Sequence, residues 1–181
     1  MKRLVCAILA LTLLLPLALA QGADQTFATD EIELTVPADW IIDTEDLTED
    51  EDFHYMCYLI EPGDPSLVVE CALVYYEDFL DVYLDGSDEK TLNAYIDMLL
   101  DEKEADSPEL VTVVDAGGIS IPVLCAQDEE GPYLYADTML SGQNYVFYAY
   151  SASAYEDGTL EMDDDDLETF ISILSTFRLP S

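Results

Sequence analysis

The stretch from Phe53 to Tyr76 constrains the fold more than any other part of the chain. It reads FHYMCYLIEPGDPSLVVECALVYY, in which Pro and Gly residues mark a turn at 61–66 between two apolar runs. Tyr, Val, Leu, Ile and Cys fill both runs, and these residue types favour β-strands. We therefore predict a β-hairpin in the core of a sheet.

Neither predicted strand of this hairpin has a clearly polar face. Apolar side chains occupy both odd and even positions, and successive side chains of a strand point to opposite sides of the sheet. A sheet that is apolar on both faces needs cover on both sides. If Ile60 pairs with Val68, antiparallel pairing places Cys57 opposite Cys71.

The first 20 residues predict a secretory signal peptide. A basic start is followed by an apolar run from Leu4 to Leu19, and the sequence Ala-Leu-Ala ends at Ala20. We expect cleavage after Ala20 and a secreted mature chain, Gln21–Ser181, that forms a single domain. The alternative is an uncleaved N-terminal anchor.

The mature chain is extremely acidic. It keeps all 40 Asp and Glu residues against three cations, Lys90, Lys103 and Arg178, so its net charge is −37. Nucleic acid, anionic membranes and phosphorylated ligands need clustered Lys or Arg, and the composition excludes them as partners. A cationic or neutral partner, or a weakly bound divalent cation, is compatible with this charge. The alternative is that the charge only keeps an exported protein soluble.

Two helices are predicted. The first runs from about Asp88 to Glu104, where apolar residues recur at helical spacing and Ser87 or Asp88 can cap the start. The second begins in the run Asp163–Asp166, because carboxylates favour a helix N-terminus. The predicted buried stripes are Leu92, Tyr95, Ile96, Leu99 and Leu100 in the first helix and Leu167, Phe170, Ile171 and Leu174 in the second.

The remaining patterns predict strands. Glu31–Val36 alternates polar with apolar residues, which indicates an edge strand. Four further strands separated by short turns predict an antiparallel meander. They are Leu110–Asp115, Ile119–Ala126, Tyr133–Leu140 and Tyr145–Ser151. The predicted class is α+β, an antiparallel sheet of about six to seven strands with helices packed on its faces.

Three segments resemble the PsbP-like superfamily, which includes oxygen-evolving-complex subunits and Ran-binding import factors. They are Leu34–Trp40, a strand ending in a Pro-x-x-Trp corner, then Gly117-Gly118 at the entry to a strand, and Ile173–Leu179, with which the last helix ends. The element order is similar over about Phe27–Leu179. The resemblance implies an antiparallel sheet with helices on both faces, and a role in protein binding rather than catalysis. It carries over no functional residue, and the scarcity of lysine departs from many relatives.

The one histidine, His54, is predicted to lie on the first hairpin strand. In the register given above it opposes Val74, while Glu70, on the same face, lies roughly 13 Å away along the strand. This distance is too long for acid–base pairing. A zinc site that joins His54 to Cys57 and the other cysteines is disfavoured, because positions 54 and 57 project from opposite faces of a regular strand.

Three cysteines follow the predicted signal peptide, at Cys57, Cys71 and Cys125. A bond between Cys57 and Cys71 would close a loop of about 15 residues, which stabilises by roughly 3 kcal/mol. The alternative is that all three are buried thiols.

Other chemistry is limited to acids and tyrosines. Carboxylate pairs permit a hydrolase, although 40 acids bring some pair together by chance. Asp43–Asp52 and Asp163–Asp166 offer oxygen ligands for calcium; the alternative is a solvated loop and a helix start. Four tyrosines share one face of the last predicted hairpin and form either a recognition patch or core beneath a helix: Tyr133, Tyr135, Tyr148 and Tyr150.

The sequence thus predicts a secreted, acidic, non-catalytic binding module for a protein or cell-surface partner. It identifies no catalytic residue, cofactor-binding residue or metal ligand. The alternatives are a carboxylate-dependent hydrolase and a structural protein that binds divalent cations.

Overall fold

The computed structural model describes residues 23–45, 47, 54–63, 66–76, 79–86, 88–129, 131–151 and 164–180. The predicted signal peptide, most of the acidic run 43–52, and Asp163 lie outside the described residues. Within them the chain forms nine strands and two α-helices. The strands are β1 (Gln25–Ala28), β2 (Glu33–Val36), β3 (Ile41–Asp43), β4 (His54–Ile60), β5 (Leu67–Tyr75), β6 (Glu109–Ala116), β7 (Ile119–Gln127), β8 (Pro132–Leu140) and β9 (Gln143–Ser151), and the helices are α1 (Glu89–Glu102) and α2 (Asp164–Leu174).

Seven of these strands form one antiparallel sheet in the order β3-β4-β5-β9-β8-β7-β6. The predicted hairpin, β4–β5, lies inside this sheet with a neighbour on each side, and the last four strands form the predicted meander. The strand predicted at Glu31–Val36 is present as β2, Glu33–Val36, but it lies outside the large sheet. Strand β2 instead pairs with β1 in a separate two-stranded sheet, and the short strand β3 occupies the edge beside β4.

The register of the hairpin follows the prediction near the turn and then departs from it. Ile60 pairs with Val68 and Cys57 with Cys71, as predicted. A β-bulge at Met56 then shifts the register, so that His54 pairs with Leu73. A bulge adds one residue to one strand. The side chains of Tyr55 and His54, which precede the bulge, therefore point to the sides of the sheet opposite to those that a regular strand would give them.

Buried apolar side chains form two clusters. The first contains Phe147 of β9 and Phe170 of α2. The second contains Val146 of β9 with Tyr95 and Leu99 of α1. Neighbouring residues of β9 therefore contribute to different clusters, which agrees with a strand that is apolar on both faces.

The two helices begin as their sequences predict. Asp88 caps α1, since its Oδ1 accepts a hydrogen bond from the backbone N–H of Thr91 at 2.8 Å. Three acids occupy the first turn of α2, where negative charge interacts favourably with the helix dipole. The buried residues are Tyr95, Ile96 and Leu99 in α1, all predicted, and Phe170, Ile173 and Leu174 in α2, of which Ile173 was not predicted.

Gly142 and Gly117 provide a matched test of the turns. Their φ angles are similar, 77° and 70°, so alanine at either position adopts a left-handed backbone that costs about 1–2 kcal/mol. A Cβ at Gly142 would also lie 2.7 Å from the carbonyl oxygen of Tyr76, whereas nothing lies within 4 Å at Gly117. We expect Gly142→Ala to lower the free energy of unfolding, measured with urea, by clearly more than Gly117→Ala. Equal losses would contradict the close contact at Gly142.

Candidate functional site

A row of side chains crosses the sheet at one level. Asp43 pairs with Tyr58, Tyr58 with Glu70, Glu70 with Tyr148, and Tyr148 with Tyr135. Residues paired in register project to the same side of a sheet. Five polar or aromatic side chains from β3, β4, β5, β9 and β8 therefore lie side by side, and we call the side of the sheet that carries them the tyrosine face.

The next row on this face contains the small side chains of Ala72 and Val146. The register places Tyr55 beside Ala72, and Asp137 beside Val146. Because Ala72 and Val146 are shorter than their neighbours, space remains above them. The result is a pocket of about 220 Å³, lined by Tyr55, Glu70, Ala72, Val146 and Tyr148.

The bulge at Met56 decides which way Tyr55 points. In a regular strand Tyr55 and Cys57 would share a face. With the extra residue, Tyr55 pairs with Ala72 while Cys57 pairs with Cys71, so the two side chains project to opposite sides. Tyr55 therefore reaches the tyrosine face, where its ring stacks on that of Tyr58 with centroids 6.1 Å apart.

Glu70 supplies the acid of the pocket lining. Its side chain is half-buried, and its Oε1 accepts a hydrogen bond of 2.9 Å from the Tyr150 hydroxyl. Burial raises the pKa of Glu70, and the hydrogen bond from Tyr150 opposes part of this rise. The pKa of the nearby Tyr58 is raised by burial and by the charge of Glu70. The lining thus combines aromatic rings and apolar groups with one carboxylate.

A lysine of the chain already contacts the rings of this face. Lys103, which directly follows α1, donates a hydrogen bond of 3.0 Å from Nζ to the Tyr148 hydroxyl. Its Nζ lies 4.5 Å from the ring centroid of Tyr135 and 5.3 Å from that of Tyr148. These distances are within the range of cation–π attraction. The tyrosine face therefore binds an ammonium group within the molecule itself.

The four tyrosines singled out from the sequence divide into two pairs. Tyr133 and Tyr135 are buried in the second apolar cluster, which includes residues of α1. Tyr148 and Tyr150 are only partly buried and contribute the pocket lining and the hydrogen bond to Glu70. Core packing therefore describes the first pair, whereas the second pair packs against the same cluster and stays partly exposed.

Asp137, beside the pocket, was not identified from the sequence. It is buried and accepts hydrogen bonds from the hydroxyls of Tyr95 and Tyr135 and from Nδ2 of Asn144. These donors come from α1, β8 and β9, so the network joins α1 to the sheet. Burial raises the pKa of Asp137 to about 6, although all three hydrogen bonds favour the charged form.

The structure corrects the prediction for His54. Because of the bulge, His54 pairs with Leu73, which packs against the first cluster, while Glu70 lies on the tyrosine face. The prediction that His54 and Glu70 share a face, opposite that of Cys57, was therefore wrong. Among the described residues, no three His, Cys, Asp or Glu side chains form a group that could hold a metal ion.

The predicted juxtaposition of Cys57 and Cys71 is confirmed. The two residues are directly paired and buried, and both are thiols in this structure, as is Cys125. The hydrogen bond with Cys57 and burial raise the pKa of the Cys71 thiol.

The calcium ligands proposed from the sequence are only partly described. Most of the run 43–52 lies outside the described residues, as does Asp163. Asp164, Asp165 and Asp166 form the first turn of α2.

The pKa of Asp137 predicts a specific pH dependence of stability. Its folded value of about 6 exceeds the ordinary value of 3.8, so its contribution to stability is complete below about pH 4 and is lost as the pH rises through 6. A difference of about two in pKa corresponds to about 3 kcal/mol. Because part of this contribution is already lost at pH 4.5, we expect the free energy of unfolding to fall by about 2 kcal/mol more between pH 4.5 and 7.5 in the natural protein than in Asp137→Asn.

The matched control for this measurement is Glu89→Gln, at an exposed position in the first turn of α1. It makes the same change in charge without touching the network and is expected to keep the natural pH dependence. If Asp137→Asn and Glu89→Gln give the same pH profile in urea unfolding, the assignment to Asp137 is wrong.

No protein-family model matches the chain, and no curated protein sequence matches it. In the described part of the chain, no helix combines the length and the apolar character that crossing a bilayer requires.

Proposed function

We propose that the chain is an exported, non-catalytic binding module whose mature part, residues 21–181, recognises a protein or cell-surface partner through the tyrosine face. The observation that carries this proposal is the pocket that Tyr55, Tyr148 and the half-buried Glu70 line together with Ala72 and Val146. Tyrosines are enriched at the centres of protein interfaces, where a large ring and a polar hydroxyl act together. A mature net charge of −37, from three cations and 40 acids, favours a cationic or neutral partner.

The chemistry of the lining favours binding over hydrolysis. A carboxylate-dependent glycosidase needs two acids on opposite sides of the scissile bond. Among the residues that line this pocket, Glu70 is the single acid, and the others are Tyr, Ala and Val. Such a lining is suited to holding a group that is partly apolar and partly positive.

The proposed architecture also supports a binding role. We infer that α1 and α2 cover opposite faces of the sheet, because Tyr95 of α1 and Phe170 of α2 belong to different apolar clusters. The Pro-x-x-Trp corner that motivates a PsbP-like relationship is ordered here: Trp40 is buried, and its carbonyl accepts a hydrogen bond of 2.7 Å from Gln25 Nε2. A PsbP-like relationship would imply a function in protein binding.

Site-specific cross-linking tests the proposal. Benzoylphenylalanine in place of Tyr55 puts a photoreactive aromatic group in the pocket, and the same residue in place of Asn93 puts it on the exposed side of α1. We expect irradiation in culture medium or cell envelope to give a discrete adduct from position 55 that excess natural protein competes away. Identical adducts from both positions, or none from position 55, would contradict a role for the tyrosine face.

A further inference from the structure

We infer that the group held by the pocket is the protonated amine of a lysine side chain presented by the partner protein. This inference rests on the proposed function and names the chemistry that the same site recognises. Three features of the lining carry it: the carboxylate of Glu70, the rings of Tyr55 and Tyr148, and the apolar floor of Ala72 and Val146.

The carboxylate makes the pocket selective for positive charge. Glu70 lies between Tyr58 and Tyr148 in the sheet register, so aromatic rings rather than basic groups are its neighbours in the row. A half-buried carboxylate is less screened by solvent than one on an exposed surface, and it therefore attracts a cation more strongly. The acidity of the whole chain adds a longer-range attraction for a cationic partner.

The rings are suited to an ammonium group in particular. The face of a tyrosine ring carries negative electrostatic potential and attracts cations. Lys103 shows both kinds of contact on this face, since its Nζ lies 4.5 Å from the ring centroid of Tyr135 and donates a hydrogen bond of 3.0 Å to the Tyr148 hydroxyl. The side chain that forms one wall of the pocket is thus already part of an ammonium site within the chain.

The geometry at Glu70 favours lysine over arginine. A guanidinium group binds a carboxylate best through two parallel hydrogen bonds, one to each oxygen. One of these oxygens, Oε1, already accepts a hydrogen bond from Tyr150 at 2.9 Å. An ammonium group needs only one oxygen, and the methylene stem of lysine can lie along the apolar floor formed by Ala72 and Val146.

Peptide binding tests the inference directly. The probe is a short, otherwise neutral, fluorescent peptide with one central lysine, compared with the same peptide carrying Nε-acetyl-lysine or arginine. Fluorescence anisotropy with the purified protein gives the dissociation constants. We expect the lysine peptide to bind at least tenfold more tightly than the acetylated peptide and more tightly than the arginine peptide. Equal affinities for the lysine and acetyl-lysine peptides would overturn the inference.

Variants of the protein locate the binding. Glu70→Gln keeps the size of the side chain and an oxygen for Tyr150, and we expect it to weaken binding of the lysine peptide at least tenfold. Glu89→Gln, at the exposed start of α1, makes the same change in net charge and is expected to weaken binding less than twofold. Equal weakening by both variants would show that the peptide is attracted to the acidic surface in general, and it would overturn the assignment of binding to the pocket.

A second pair of variants separates the ring from the fold. Tyr55→Phe keeps the ring and is expected to retain binding, whereas Tyr55→Leu removes the ring and is expected to weaken binding several-fold. Melting curves recorded by circular dichroism confirm that each variant is folded before its affinity is used. Unchanged binding by a folded Tyr55→Leu variant would overturn the role of the ring.

The two proposals fail in different ways. If position 55 cross-links a partner but the lysine peptide does not bind, the inference about lysine is wrong and the tyrosine face still recognises a partner. If position 55 captures nothing and the lysine peptide does not bind, both proposals are wrong.

Discussion

The burial of both sides of β5 and β9 is the constraint on which the rest of the structure depends. Each strand has a hydrogen-bonded neighbour on either side, and successive residues of β9 enter different apolar clusters. A slip of one residue in such a strand would exchange its two sets of side chains, so the register is strongly specified. This fixed register aligns Tyr58, Glu70 and Tyr148 in one row, and the pocket follows from the same packing that forms the core.

The scarcity of basic residues shapes how the acids near the core are satisfied. A buried carboxylate is usually paired with Lys or Arg, but this chain has five such residues against 40 acids. Tyrosine hydroxyls take their place: Tyr95 and Tyr135 donate to Asp137, Tyr150 to Glu70, and Tyr133 to Asp106 at 2.6 Å. Neutral donors satisfy the oxygens without cancelling the charge, which explains why Asp137 combines three hydrogen bonds with a raised pKa.

The sequence predicted those features of the fold that depend on residues close together in the chain. The helix stripes, the Asp88 cap, the meander and the pairing of Cys57 with Cys71 all follow from residue spacing over a few positions. The bulge at Met56 was missed because no Gly or Pro marks it, although it reverses the faces of Tyr55 and His54. The strands β1 and β3 have only four and three residues, so their pairing is set by distant partners rather than by their own sequences.

The candidate site could not be predicted from the sequence, because it also depends on residues that are far apart in the chain. Its lining comes from β4, β5 and β9, and the register between β5 and β9 joins residues more than 70 positions apart, such as Glu70 and Tyr148. Asp137 posed the same problem, because its donors come from α1 and β9 as well as from its own strand. An acid in the middle of an apolar strand was the available signal, but it was obscured in a chain with 40 acids.

The distribution of lysine has a practical consequence for handling this protein. Beyond position 20, lysine occurs only at Lys90 and Lys103, which lie near the two ends of α1. Lys90 is exposed, whereas Lys103 is partly buried against Tyr148. Among the side chains beyond position 20, reagents that acylate amines would therefore modify the two lysines that lie at the start of α1 and directly after its end, with Lys90 the more accessible of the two. Attachment through these side chains would hold the molecule in a nearly uniform orientation.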